Sequence, residues 1–140
     1  MIFNHIMEIY ILLSISVIIH ELAHVIIAKI IKLEVDEIHI GDQLFSIRVG
    51  KVYFSPLILG KSYVSFRAEK LAVKSNTKKI SFFGAGPISN AVICLFAIIF
   101  REKSNFYANI LLDINTYIFI VNIIPVFDND MSKLRLFMKK

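Results

Sequence analysis

The chain is expected to fold as an α-helical membrane protein: a core of three transmembrane helices, with a small membrane-associated β-hairpin region on the cytoplasmic side between helices 1 and 2. Three observations lead there. Of 140 residues, 56% are hydrophobic and only 19% charged, and mean hydropathy is +0.68. Soluble domains run at about 45–50% apolar and about 25% charged. Three stretches approach the ~20 apolar residues that a spanning helix needs. Basic residues, finally, crowd into two segments, as they do in loops retained in the cytoplasm.

The 140 residues are read as one domain, 1–140. Its first span is about 6–31, and from Ile9 onwards it is an apolar run whose only ionisable residues before Lys29 are His20, Glu21 and His24. It lacks the basic leader and small-residue cleavage site of a removable signal peptide, so it reads as a retained helix. The next segment, about 35–67, is patterned as strands. Asp36 to Ile40 alternates, Gly41-Asp42 interrupts it, and Leu44 to Val49, the Gly50-Lys51 turn and Val52 to Ser55 predict a β-hairpin. Leu57 to Leu59, Gly60-Lys61-Ser62 and Tyr63 to Phe66 suggest a second hairpin. Lys70 to Lys79 is basic and amphipathic, suited to lie at anionic headgroups before the chain re-enters the bilayer. The second span, about 80–100, carries no charge, and the third, about 107–127, carries only Asp113. A basic tail, 131–140, follows. The single cysteine, Cys94, excludes an intramolecular disulfide and a cysteine-based zinc site, and reads as a small buried hydrophobe.

Charge placement orients the spans. Lys32 to Ser81 holds nine Lys or Arg and the segment after Asp130 holds four, whereas residues before Glu8 hold none and Arg101 to Asn105 holds two. The positive-inside bias then places the N-terminus outside the cell membrane, and the strand-forming loop and the C-terminus in the cytoplasm. On this reading the net charge of +5 is a topology signal. Nucleic-acid binding would need a basic face on a soluble fold, and the composition argues against it.

The chemistry is concentrated in the first span. His20-Glu21-Leu22-Ala23-His24 places two histidines at i and i+4, so two imidazole nitrogens can reach one metal ion from one helix face. Glu21 stands beside them, where it can polarise a water at the metal and move its proton. Three ionisable side chains in a membrane-grade segment are costly, which points to function; ligand type and spacing point to zinc. A catalytic zinc usually takes three protein ligands. Spans one and three run in the same direction, the histidines lie near the inner end of the first, and Asp128 and Asp130 lie just past the inner end of the third. Either carboxylate can complete the set. Asp113 would sit about 20 Å too far along a helix rising 1.5 Å per residue, and reads as interfacial. His5 and His39 have no partner at ligand spacing and read as surface histidines.

Three motifs, in order, resemble those of the site-2 protease family of intramembrane zinc metalloproteases. The first is His20-Glu21-Leu22-Ala23-His24. The second, Gly86-Pro87-Ile88-Ser89-Asn90 behind Gly84-Ala85, is similar to the family's G-P-x-x-N. The third, Asn122 to Asp130, is similar to its N-x-x-P-x-x-x-x-D, with Pro125 in register. The resemblance covers nearly the whole chain. It implies that His20, His24 and Asp130 hold Zn2+ and that Glu21 is the general base. It also implies that Asn90, with Gly86, Pro87 and Asn122 nearby, binds the substrate strand or orients groups around the reacting carbonyl. Gly84, Gly86 and Pro87 are expected to weaken a helix start so that backbone approaches the site. Asn122 and Pro125 are expected to unwind the end of the third span.

The activity implied is regulated intramembrane proteolysis in a prokaryotic plasma membrane. The chain would be a zinc endopeptidase that cuts a transmembrane or signal-peptide-like segment of a membrane protein, or a peptide precursor, near its cytoplasmic side. The predicted hairpins would receive the unwound substrate as an added strand. The sequence departs from the family's pattern in places. Met131 stands where the family has Gly, Asp128 where it often has Pro, and its inner-loop G-G-Y-V is present only as Gly60-Lys61-Ser62-Tyr63-Val64. No PDZ or CBS-like module is recognisable, which leaves substrate filtering to the core or to a regulatory membrane partner. The alternative reading is a catalytically inactive membrane partner that keeps the protease fold.

Overall fold

The first apolar run forms one uninterrupted helix. The computed structural model describes residues 2–42, 45–56, 62–100, 106–124 and 129–138. In it, helix α1 (Ile2–Ile30) starts four residues before the expected boundary. α1 ends in a Schellman motif: the N–H of Leu33 reaches the carbonyl of Ala28 (2.8 Å) and that of Lys32 the carbonyl of Lys29 (3.1 Å). Lys32 takes the left-handed conformation this requires, at φ 54°, a place usually given to glycine. The turn sends the chain straight into strand β1 (Val35–Ile40).

β2 (Ile47–Val49) and β3 (Val52–Phe54) form the expected hairpin about Gly50-Lys51, with Gly50 at φ 63°. Of the second expected hairpin, residues 57–61 lie outside the described residues, and β4 (Tyr63–Phe66) pairs antiparallel with β1. β1 also pairs parallel with β3, so the sheet runs β2-β3-β1-β4. This register sets His39 opposite Tyr53 on one side and Tyr63 on the other. Its ring stacks on both, at 4.4 and 4.6 Å between centroids, and the residue is 8% exposed. His39 is therefore packed inside the sheet and is not the surface histidine expected, because cross-strand neighbours cover both its faces. Its Nε2 lies 3.1 Å from Glu37 and holds that carboxyl below the ordinary carboxylate range.

The basic stretch before the second span is split. It contains α2 (Ala68–Ala72), a break at Val73 to Ser75, and the first turn of α3 (Asn76–Ile99). The connection 101–105 lies outside the described residues. α4 (Phe106–Ile123) forms the third span, and the basic tail is helical as α5 (Asp130–Met138). α1, α3 and α4 are each long and apolar enough to cross a membrane. Contacts give their directions. Glu8 meets Tyr107 and Ser16 meets Asn115, so α1 and α4 run parallel. His20 meets Asn90 and His24 meets Phe82, so α3 runs against them.

Between these helices the polarity is inverted relative to a soluble bundle. Ile9, Ile15, Leu22 and Ile26 on α1 and Ile88 and Leu95 on α3 face outwards, while Ser16, Asn90 and Asn115 are fully buried. In hydrocarbon an apolar face needs no burial, whereas each polar group must find an internal partner. The apolar core lies instead where the end of α1 meets α2, the start of α3 and α5. Ala28, Ile31, Leu33, Leu71, Phe82 and Phe83 pack there against Phe66 and Phe137. Phe66 meets Phe82 edge-on at 4.9 Å, and Phe83 meets Phe137 at 5.6 Å. That core clamps the sheet and α5 to one end of the bundle, beside the histidines.

Candidate metal centre

His20 and His24 stand one turn apart on α1, with ring centroids 5.1 Å apart, and both are buried. Each imidazole is held from behind by its Nδ1. That of His24 lies 2.8 Å from the carbonyl oxygen of Phe82, and that of His20 lies 2.5 Å from Asn90 Oδ1. A carbonyl oxygen can only accept, so each Nδ1 carries the proton and donates it. Each Nε2 is left with its lone pair, the arrangement that a second shell imposes on metal-binding histidines. Both Nε2 atoms point at one oxygen, Asp130 Oδ2, at 3.1 Å each.

Gly86 is what lets the rings lie so close to α3. A Cβ there would stand 2.5 Å from His24 Nε2 and nearer still to His20 Nε2. Backbone approaches the site here as expected, but not at a helix start: Gly86 and Pro87 are buried inside α3, which begins at Asn76. Hydrogen bonding continues through the glycines, so only Pro87 interrupts it, by lacking the N–H that would bond to the carbonyl of Phe83. Gly84 differs from Gly86, since a Cβ there would meet only Ile88 Cδ1 at 3.6 Å.

The carboxylate arrives from the opposite side, and Asn129 brings it. The buried Asn129 side chain donates through Nδ2 to the carbonyls of Val121 (2.5 Å) and Ile124 (2.6 Å) at the end of α4. Its Oδ1 accepts the N–H of Ser132, whose Oγ accepts the N–H of Asn129, each at 3.0 Å. One side chain thus closes α4 and opens α5 in a reciprocal capping box. Asp130 becomes the first residue of α5 and Met131 the second. Lys32 alone among the described non-glycine residues has a positive φ, so Met131 in the family's glycine position carries no backbone strain.

Three electron-pair donors therefore converge: two Nε2 atoms and the Asp130 carboxylate, all within 4.8 Å of one another. Facing each other in so buried a site they repel, unless a proton or a metal ion stands between them. Two histidines and a carboxylate are a donor set of catalytic zinc. The residues present fit that ion.

Glu21, also buried, opens with both histidines and Asp130 onto a cavity of about 790 Å³. Its other walls include Tyr63 and Val64 of β4, Tyr117 and Asn122 of α4, and Lys133 of α5. Among the described residues β4 lies at the edge of the sheet.

Measured against the sequence, His20, Glu21, His24, Asp130 and Asn122 meet at this cavity. Asn90 stands behind it, fully buried, with Oδ1 on His20 and Nδ2 donating to Asn115 at 2.7 Å. Its side chain serves the imidazole ring, where a contact to the substrate strand was the alternative. Asn122 is the next-to-last residue of α4, which ends at Ile123, short of the expected 127. It is helical, and its Nδ2 donates to the carbonyl of Ile118 one turn back, at 3.0 Å. Pro125 and Asp128 lie outside the described residues. Sequence reasoning overlooked Asn129, although the Asn129–Ser132 spacing is that of a capping box. It also overlooked Asn115 and Lys133, which no local pattern distinguishes.

The family model described as peptidase family M50 matches residues 8–108. The matched stretch holds His20, Glu21, His24, Gly86, Pro87 and Asn90 and stops short of Asp130, whose part in the site rests on geometry. No curated protein matches the chain.

Proposed function

The chain belongs to peptidase family M50, membrane metallopeptidases of the site-2 protease type, and from that premise we propose that it is an intramembrane zinc endopeptidase. Its substrate would be a transmembrane or signal-peptide-like segment of another membrane protein, cut near the cytoplasmic face. The observation that carries this reading is the convergence of His20 Nε2, His24 Nε2 and Asp130 Oδ2 while both Nδ1 atoms are engaged elsewhere. Zinc, when bound, supplies a Lewis acid and a nucleophilic water at neutral pH. Glu21 takes the proton of the attacking water and delivers it to the leaving amine, as its neighbouring position on the cavity wall allows. A helical substrate hides its amides and must unwind first. The edge strand β4, on the same cavity, offers main-chain hydrogen bonds to a strand laid beside it.

Met131, in place of the family's glycine, is the departure that would suit the inactive-partner alternative. The start of α5 at Asp130 makes a glycine unnecessary at that position, and this favours the enzyme. Zinc stoichiometry on detergent-purified protein tests the reading. About one zinc per chain is expected, lost in Asp130→Ala and kept in Glu21→Gln and Asp128→Ala. With reconstituted protein and a panel of fluorogenic transmembrane peptides, cleavage by wild type and none by Glu21→Gln is expected. A wild type without zinc, or loss of zinc only in Asp128→Ala, overturns the ligand assignment. Equal cleavage by Glu21→Gln overturns the mechanism.

A further inference from the structure

Behind the metal centre a string of side-chain hydrogen bonds crosses all three membrane helices. Asn90 on α3, Asn115 on α4 and Ser16 on α1 are each 0% exposed. Asn90 joins Asn115 at 2.7 Å, and Asn115 joins Ser16 at 2.9 Å. At one end Asn90 meets His20 Nδ1 at 2.5 Å. At the other, Asn115 also reaches the carbonyl oxygen of Leu111 at 2.8 Å, and Ser16 that of Leu12 at 2.9 Å. Asn115 and Ser16 belong to none of the three motifs and do not line the cavity.

The string has a direction, and its far end sets it. The oxygen of Leu111 can only accept, so the edge of the Asn115 amide that faces it is the NH2 group. The second N–H of that group goes to Ser16 Oγ, whose own proton goes on to the carbonyl of Leu12. Oδ1 of Asn115 therefore faces Asn90, which must answer with its NH2 group. That turns Asn90 Oδ1 towards His20, so Nδ1 must donate and Nε2 keeps its lone pair. Turning over either amide would set like group against like group at 2.7–2.8 Å in a dry interior. A staple between helices would need no such order, since two asparagines can pair either way round.

We propose that Asn115 and Ser16 are positioning residues that act through Asn90 to hold His20 as its Nδ1–H tautomer, with Nε2 open to a cation. For His24 the carbonyl of Phe82 does the same directly. The consequence for zinc rests on the metal-site reading above; the tautomer does not. Nitrogen-15 NMR of metal-free protein labelled at histidine, assigned with single His→Gln variants, tests the two apart. In wild type the shifts of His20 should report a proton on Nδ1. In Asn115→Leu the His20 signal should become a mixture of tautomers, while that of His24 stays as it was. Zn2+ affinity, read by chelator competition, should fall about 10- to 100-fold in Asn115→Leu and not at all further when Asn115→Leu is added to Asn90→Leu. A bare Nδ1 on His20 in wild type overturns the proposal whatever the variants do, even if Asn115→Leu fails to fold. So does a His24 tautomer that changes along with that of His20, or a Zn2+ loss of equal factor in the Asn90→Leu background. Wild type with the expected tautomer but no affinity for Zn2+ would instead overturn the metal-site reading and leave the string standing.

Discussion

Replacing Gly86 by alanine adds one methyl group where α3 comes closest to the two imidazoles. Its carbon would stand 2.5 Å from His24 Nε2, against 3.4 Å for ordinary contact, so ring and helix must part by at least about 0.9 Å. Neither ring can simply swing aside. His24 is fastened through Nδ1 to the carbonyl of Phe82 and His20 to Asn90, and both anchors belong to α3 itself. Zinc–ligand distances tolerate only about 0.2 Å, so the donor set opens further than one ion can span. Zn2+ affinity is expected to fall at least about 100-fold, which is about 2.8 kcal/mol. Gly84→Ala, two residues away, is the control. Its Cβ would meet only Ile88 Cδ1 at 3.6 Å, and alanine is the better helix former by about 0.8–1 kcal/mol. That variant should keep its affinity and unfold no earlier than wild type. Chelator competition on detergent-purified protein reads both affinities, with circular dichroism on the same samples as the check on helix content. Wild-type affinity in Gly86→Ala, or equal losses in both variants, refutes the reasoning.

Glu21→Gln should keep its zinc and lose cleavage by about 100- to 10,000-fold, the range of a general base; loss of the metal as well would make Glu21 a structural support. Asn129→Ala strips partners from the ends of two helices, so thermal unfolding should show a loss of about 1–3 kcal/mol together with weaker zinc binding. Unchanged zinc affinity would mean that Asp130 holds its place without the cap. Chelation by EDTA should lower the unfolding midpoint of wild type and leave that of His24→Ala where it was, because only a protein that binds the ion is stabilised by it. Glu37, hydrogen-bonded by His39, has its carboxyl lowered from an ordinary value of 4.5. Its contribution to stability is therefore full above about pH 4.5 and lost as pH falls through the lower folded value. Glu37→Gln should unfold with a flatter acid limb in that window, and an unaltered limb would show that the His39 contact does not count.

What one helix or one hairpin can express was legible in the chain. Apolar length marks α1, α3 and α4 because a bilayer demands it locally. The i, i+4 spacing of His20 and His24 puts both rings on one face whatever surrounds them. The turn at Gly50-Lys51 closes β2 on β3 within two residues. Folding in three dimensions settled the rest, and each case has the same cause: the partner lies far along the chain. The parallel pairing of β1 with β3 joins strands separated by an intervening hairpin arm, and it buries a histidine that reads as a surface residue. Asn90 reads as binding the substrate strand or orienting groups around the reacting carbonyl, and only the fold puts its two polar ends on His20 and Asn115. Periodicity cannot separate Asn115 from any other polar residue of a membrane helix. Its role exists only because α1, α3 and α4 bring Ser16, Asn90 and His20 into one line, in an interior where each polar group must be answered by another.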